Sequence, residues 1–415
     1  MFNEIEVKLL TKRNYKKIKE LIRISFSLGV NLTSPSKFKD SLRVINVILI
    51  VSSLISMYAH WCYTVRSITD IPKIAESVCT AFQTLISVFK MIYYLFIQRR
   101  LYVLLNKAQT HEFVRQIEIF HTGFPMCERI KGRVDKILES SWKNINAQLI
   151  FYICCCVAII SNYFLMAVIV NIYNSWNGAP PNYEPMLPFP SYYPFWQDKG
   201  LSFPYYHIEM FLGTCACYIS GICAVSFDGV FIVLCVHAVG LVKVLIMLIE
   251  NSTAPDVPKE RRVEYLRYCI YQYQRVSEYM DELRRIYKHI SLSQFMLSML
   301  NWGIVLFQMG VGLVNLMTLI RMLMYISAAG YEIVLYCYNG QRLTTECEKI
   351  PYAFFSCEWY NESEEFKQLL GMMILRTSRN FYFQISWFTT MSLPTLMSMI
   401  RTSGSYFLLL RNVAE

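Results

Sequence analysis

The sequence predicts an all-α, polytopic membrane protein of seven transmembrane helices, with its N-terminus inside and its C-terminus outside. Three observations carry this. Of 415 residues, 54% are hydrophobic and only 17% charged, whereas a soluble domain carries about a quarter charged residues. Apolar runs lie at about 41–63, 74–97, 145–173, 204–242, 288–313, 316–338 and 390–410, each longer than the roughly 18 residues that mark a spanning helix. Lysine and arginine collect on alternate sides of those runs, which orients the chain.

The first 40 residues form a basic segment with Lys8, Lys12, Arg13, Lys16, Lys17, Lys19 and Arg23. It is amphipathic, without the short apolar core and small-residue cleavage site of a removable signal peptide, so it is expected to stay in the cytoplasm. Residues 41–358 are predicted to hold a six-helix bundle with cytoplasmic extensions. After the second run come Arg99, Arg100, Lys107, Arg115, Arg129, Lys131, Arg133, Lys136 and Lys143, and after the fourth Lys259, Arg261, Arg262, Arg267, Arg275, Arg284, Arg285 and Lys288. Lys199 is the one cation between the third and fourth runs. The +10 net charge is thus topology and not nucleic-acid affinity. The fourth run exceeds one crossing and is expected to project into water at its C-terminal end. Gly310, Gly312 and Asn315 supply the turn between the fifth and sixth. The sequons at Asn31, Asn251 and Asn361 fall on the cytoplasmic side and should be unmodified.

Between the third and fourth runs, Asn174–Pro204 holds Pro180, Pro181, Pro185, Pro188, Pro190 and Pro194 among Tyr183, Phe189, Tyr192, Tyr193, Phe195 and Trp196. That composition fits an ordered, proline-stiffened lid, against the simpler reading of interfacial anchoring, since Trp and Tyr favour headgroup depth. Below it, Phe82, Tyr163, Phe164, Met210, Thr214, Met324 and Tyr325 are the candidate lining of a pocket for a small, largely apolar ligand, each weighed against plain helix packing. Lys90, Glu209, Asp228, Arg321, Glu332 and Arg401 fall at membrane depth, where ionisable side chains mark function or pair with one another. Arg321 and Glu332 share a helix face but lie about 16 Å apart along it, too far to pair.

Residues 359–389 are expected to form a cytoplasmic anchor. Trp359, Phe366, Leu369, Leu370, Met373 and Ile374 have helical spacing, in a segment too charged to span, and Trp359, Leu370 and Met373 are its candidate contacts. Residues 390–415 form the last span. On a helical projection Thr395, Ser398, Thr402, Ser405 and Asn412 fall within an arc of roughly 100°. Hydroxyls facing lipid cost free energy, so this stripe must face protein or water. Leu409 interrupts it near one end, where a ring of such side chains would close a wet path. Packing through small residues is the competing reading.

No Walker loop, HExxH, GxSxG or zinc spacing is present, which argues against an enzyme and implies no cofactor. The 14 cysteines lie mostly in apolar runs and read as small buried hydrophobes. His237 is a lone histidine on an apolar helix. An inside N-terminus excludes a G-protein-coupled receptor. No inverted repeat supports a secondary transporter, which remains the alternative from another class.

The C-terminal third resembles the insect odorant receptors. The resemblance rests on YCYNGQRLTTECEKIPYAFFSCEWY at 336–360, with Gly340, Glu346, Ala353 and Trp359, on FKQLLGMMILRTSRN at 366–380 and on TSGSYFLLLR at 402–411. Asn380 and Gly404 depart from the family's usual proline and tyrosine. The resemblance implies a tetrameric, ligand-gated, non-selective cation channel whose last helix lines the pore. It also implies a gate three positions after Tyr406, at Leu409, with Thr402, Ser398, Ser405 and Asn412 along the path. Odorants would bind in the outer half of the bundle. The short 250–288 segment marks an odour-tuning subunit rather than the shared co-receptor, so the implied partners are a small volatile organic ligand, the obligate co-receptor in a hetero-tetramer, and membrane lipid. The implied location is the plasma membrane of an olfactory sensory neuron, multi-pass. A gustatory-type channel is the nearest alternative, but Arg411 stands where its glutamine would be.

Overall fold

The computed structural model describes residues 20–21, 23–30, 40–68, 71–109, 126–178, 185–196, 203–311, 316–379, 381–386 and 389–414. The helices are α1 (Asp40–Arg66), α2 (Ile71–Gln109), α3 (Met126–Asn177), α4 (Tyr205–Cys223), α5 (Gly229–Glu250), α6 (Arg262–Val311), α7 (Leu316–Cys347), α8 (Ile350–Phe355), α9 (Glu364–Thr377) and α10 (Leu393–Ala414). Among the described residues the strand-like element is one isolated bridge, Gln384 to Thr390. Most of the basic N-terminal segment, the predicted turn at Gly312–Asn315, and Asn31, Arg115, Pro180, Pro181, Tyr183, Lys199 and Asn380 lie outside the described residues.

α5 occupies the centre. Its sequence, GVFIVLCVHAVGLVKVLIMLIE, is apolar all round, and nearly every side chain in it is buried. A helix without a polar face has to be surrounded, and α2, α3, α6 and α7 pack around it. α3 is equally apolar through its second half but leaves Phe151, Val157, Leu165, Ile169 and Ile172 exposed, as a lipid-facing helix would. Charge returns where the apolar runs end, and the helices continue: α2, α3 and α6 carry one basic end each. The bundle therefore has a charged end and an opposite end covered by the loop 185–196.

Five helical stretches among the described residues are long and apolar enough to cross a membrane: Val44–Arg66, Lys73–Ala108, Ile130–Asn177, Tyr205–Glu250 and Lys259–Gly310. The sequence predicts seven. α7 and α10 are not among these five stretches.

α10 starts where Ser392 caps it: the Thr395 amide donates to Ser392 Oγ at 3.3 Å. Pro394 sits in the first turn, where its missing N–H removes no helical bond. α10 then lies on α6 and α7. At its root Gly340 lets α7 approach so closely that a Cβ there would stand 2.9 Å from the Met391 carbonyl oxygen. α9 is capped by Ser363, whose Oγ accepts from the Phe366 amide at 3.3 Å. It buries Phe366, Leu370, Met373 and Thr377, a single i, i+4, i+7, i+11 face packed on α6.

Candidate functional site

A cavity of about 80 Å³ lies inside the loop end of the bundle. α3 lines it with one stripe, Tyr152, Cys156, Ile159, Ile160 and Tyr163, spaced as one helical face. α7 faces it with Tyr325, Ala328, Ala329 and Glu332, and α4 with Cys217, Ser220 and Gly221, followed by Ala224 just beyond its end. Gly221 is there for room: a Cβ would overlap the Ile160 side chain. The walls are apolar and the polar groups few. Ser220 Oγ is buried without a hydrogen-bond partner, and Tyr325 Oη accepts from Asn301 Nδ2 at 3.0 Å, which leaves its own proton to donate.

The loop closes this cavity. Phe189 lines it and meets the Tyr163 ring edge-on at 5.4 Å between centroids. The Asn171 amide pairs with the Met186 backbone in both directions, at 2.7 and 2.8 Å. The Tyr192 amide donates to the Ala59 carbonyl at 3.1 Å, and Trp196 Nε1 donates to Glu209 at 2.7 Å. Glu209 is thus a loop anchor. The described part of the loop is docked on the bundle, with Phe189 and Tyr193 buried and Phe195 exposed.

Beneath the cavity lies a charged network. Lys90 Nζ, 2% exposed, donates to both Asp228 oxygens at 2.9 Å and to Glu332 Oε1 at 2.8 Å. Asp228 also accepts from Tyr152 at 2.9 Å and Tyr336 at 2.6 Å, and Tyr94 stacks on Phe227 with ring centroids 3.9 Å apart. Asp228 ends a π turn, Ala224–Asp228, between α4 and α5. The extra residue in a π turn shifts the register of the helix beyond it, and this turn delivers the carboxylate to the bundle axis. The sequence puts Lys90, Asp228 and Glu332 at membrane depth on separate segments; the structure ends Lys90 at both carboxylates inside the bundle. Arg401 is exposed on α10, and the side chain of Arg321 lies outside the described set.

The stripe of α10 points away from the bundle. Leu396, Met399 and Ser403 are buried, while Ser398, Ser405 and Leu409 are exposed, Leu409 by 60%. Thr402 Oγ1 and Ser405 Oγ donate to the Ser398 and Arg401 carbonyls, four residues back, at 2.9 and 3.2 Å. The side chain of Asn412 lies outside the described set. On the opposite face Ser403 Oγ donates to the Met299 carbonyl of α6 at 3.3 Å, and Tyr406 packs on Gly303.

The family model described as 7tm Odorant receptor matches residues 70–404. The chain is 49% identical to Odorant receptor 63a of Drosophila melanogaster across the full length of both. It is 27% identical to Odorant receptor 67b of the same species, over 94% of this chain and 93% of that one. The chain belongs to the odorant receptor family. Its members are ligand-gated channels, not enzymes. The fold is similar to that of the insect olfactory receptor OR5 from Machilis hrabei in complex with eugenol, with a TM-score of 0.79 at 16% identity over 97% of this chain and 98% of that one. A second structure of that receptor gives 0.76, over 96% and 97%.

Within this odorant receptor the structure brings Tyr163 and Tyr325, of the seven candidate pocket residues, to the cavity. The other five stand off its wall: Phe82 meets Trp61 edge-on at 6.4 Å, Thr214 Oγ1 donates to the Met210 carbonyl at 2.7 Å, the Met210 sulfur takes the Tyr206 hydroxyl at 3.9 Å, and Phe164 and Met324 are half-buried. Tyr152, Phe189, Ser220 and Gly221 were missed; the i, i+4, i+7, i+11 spacing of α3 from Tyr152 to Tyr163 was the available signal. Of the anchor candidates, Leu370 and Met373 are buried inside this chain, and Trp359 is half-buried near Phe355 and Tyr360. α9 instead leaves Met372 and Leu375 exposed.

Proposed function

We propose that this receptor is the odour-tuning subunit of a non-selective cation channel, opened by a small volatile organic ligand in the cavity under the loop. The observation that carries the reading is that cavity: apolar-walled, lined on one side by the loop's Phe189, and offering the unpartnered Ser220 hydroxyl and the Tyr325 proton. A ligand with an apolar body and one or two oxygens fits that chemistry, the class to which the eugenol of the Machilis receptor complex belongs. Affinity then comes from shape and dispersion, and orientation from one hydrogen bond.

α6 connects this cavity to the last helix. Asn301 holds Tyr325 on one side, and Met299 and Gly303, each two positions away and so roughly 200° around the helix, hold Ser403 and Tyr406 of α10. A ligand that displaces Tyr325 pulls on the helix against which the pore lining rests. In the assembled channel, α7 and α10 complete seven spans, the stripe of α10 faces a central water path, and Leu409 narrows it, with exclusion of water by four such side chains as the gate. The partners are the co-receptor, in a hetero-tetramer, and lipid; the location is the plasma membrane. The cytoplasmic surface around Met372, Leu375, Tyr352 and Phe355, all exposed, is the anchor between subunits.

The deciding experiment records currents to an odour panel, with the chain expressed alone and with the co-receptor. Tyr325→Ala and Ser220→Ala should move the dose–response curve or the ligand ranking at unchanged surface expression. Unaltered curves in both variants would place the ligand elsewhere. Tags at Met1 and Glu415 should stain only after permeabilisation and without it, respectively, and an external Met1 would refute the topology.

A further inference from the structure

The largest cavity described lies at the charged end, far from the ligand pocket, and measures about 530 Å³. Three helices build it. α2 supplies Arg99, Arg100 and Lys107, and α6 supplies Arg275, Glu278, Tyr279 and Glu282, while α5 closes the back with His237 and Leu241. Four cations thus converge against two carboxylates. Glu282 is drawn partly away, lying 4.0 Å from Arg285. Among the described residues no carboxylate stands within ion-pair distance of Arg99, Arg100 or Lys107. Cations that face one cavity repel unless an anion lies between them.

A second feature points the same way. Tyr279 is 7% exposed and lines this cavity, yet its hydroxyl has no hydrogen-bond partner. A buried hydroxyl left unpaired costs free energy, and a phosphate oxygen would accept from it. The position of the mouth narrows the source of that phosphate. One turn before Arg99, Phe96 is 83% exposed on a helix that is apolar up to that point, and Val103 beside the mouth is exposed as well. Exposed apolar residues that give way to arginines mark the depth of the headgroups.

We propose that this cleft binds the multiply phosphorylated headgroup of an inner-leaflet lipid. Arg99, Arg100 and Lys107 hold the phosphates at the rim, Arg275 adds charge from α6, and the Tyr279 hydroxyl donates at the bottom. Occupancy ties α2 to α6, the helix that also carries Asn301 and packs on α10, so the lipid holds the cytoplasmic frame of the pore. A soluble polyanion shares the phosphate chemistry but lacks the acyl chains that would rest on Phe96 and Val103.

The test uses the full chain, assembled with its co-receptor, in lipid nanodiscs, and a fluorescent phosphatidylinositol 4,5-bisphosphate as probe. Binding should weaken about tenfold or more in the triple variant R99Q/R100Q/K107Q and fall as salt rises. Tyr279→Phe, which leaves shape and charge intact, should weaken it by a few-fold. R133Q/K136Q, which removes two exposed cations of α3 that do not line the cleft, should bind as the wild type does. Equal affinity in the triple variant, or an equal loss in R133Q/K136Q, would overturn the site. Inositol 1,4,5-trisphosphate should compete weakly; competition as strong as the lipid's own would overturn the lipid assignment in favour of a free anion. Surface expression and thermal unfolding of each variant confirm that the fold is kept, and the Tyr279→Phe arm decides the matter should the triple variant fail to assemble.

Discussion

Two sets of polar side chains sit in apolar helices of this receptor, and they are satisfied in opposite ways. Lys90, Asp228, Glu332, Tyr152 and Tyr336 come from three helices and the π turn and satisfy one another at the bundle axis. Ser398, Thr402 and Ser405 belong to one helix and turn outward, and Thr402 and Ser405 give their protons to its own carbonyls. The first set is closed: every partner is inside the chain. The second is open, with acceptor lone pairs presented to whatever lies beside the subunit. A hydroxyl that has already bonded to its helix can meet water at little cost, so the open set suits a path for ions and the closed set a fixed keystone.

That contrast breaks first at Lys90. Removal of one partner from a buried ion pair costs about 3–5 kcal/mol, because it strands the others. Lys90→Met leaves two carboxylates without an ammonium and should abolish surface expression, read by an extracellular tag. The variant K90M/D228N/E332Q, with no stranded charge, should recover part of it. Wild-type surface levels for Lys90→Met alone would show that the network is not a keystone.

Leu409 ranks next. Exposed on the subunit and aligned with the hydroxyls, it should change conduction and not folding. Leu409→Ala or Leu409→Ser should raise basal current by a few-fold in the hetero-tetramer, where only part of the ring is altered. Leu408→Ala, on a neighbouring face that is also exposed, should leave it unchanged. Equal effects in the two would assign the stripe to packing.

A smaller effect is expected where the two regions are joined. Asn301→Ala removes the bond to Tyr325, worth about 1 kcal/mol net, and should shift the half-maximal odour concentration by roughly fivefold while the basal current stays low. A shift in basal current of the same size would mean that Asn301 supports the pore and not the ligand.

How much of this was legible in the chain follows the same division. The open set is local: five residues on one helix at known angles, so the stripe and its Leu409 interruption could be read from sequence, as could the basic ends of α2 and α6. The closed set is tertiary. Lys90 and Glu332 lie far apart in sequence, and Asp228 reaches them only through the π turn at 224–228, which no residue type announces. Distance along one helix could only exclude a pair, Arg321 with Glu332; it could not name the partners that Glu332 has on other elements. The pocket suffered likewise: aromatic and methionine residues were chosen by type, whereas Gly221 and Ser220 matter because of what stands opposite. Leu370 and Met373 were legible as one apolar face, but not which partner covers it; α6 of the same chain does.

The smallest effect sharpens the comparison most. Thr402 is half-buried, and its hydroxyl donates to the Ser398 carbonyl. Such back-bonding contributes nothing that the helix needs, and it disfavours the helix slightly. Thr402→Val keeps the shape and the β-branch and removes only the oxygen, so unfolding should move within about 0.5 kcal/mol of wild type. If the stripe packs against protein, the apolar replacement is neutral or better, and currents stay as they were. If it borders water, each ion passing Thr402 loses an oxygen that helped to replace its hydration, and unitary conductance should fall by a modest, measurable fraction with the odour ranking intact. Ser403→Ala is the internal control. Its hydroxyl reaches the Met299 carbonyl on the buried face, and its loss should cost about 1 kcal/mol of stability and leave conductance alone. A stability loss at Thr402 with a conductance loss at Ser403 would invert the assignment of the two faces of α10, and with it the pore.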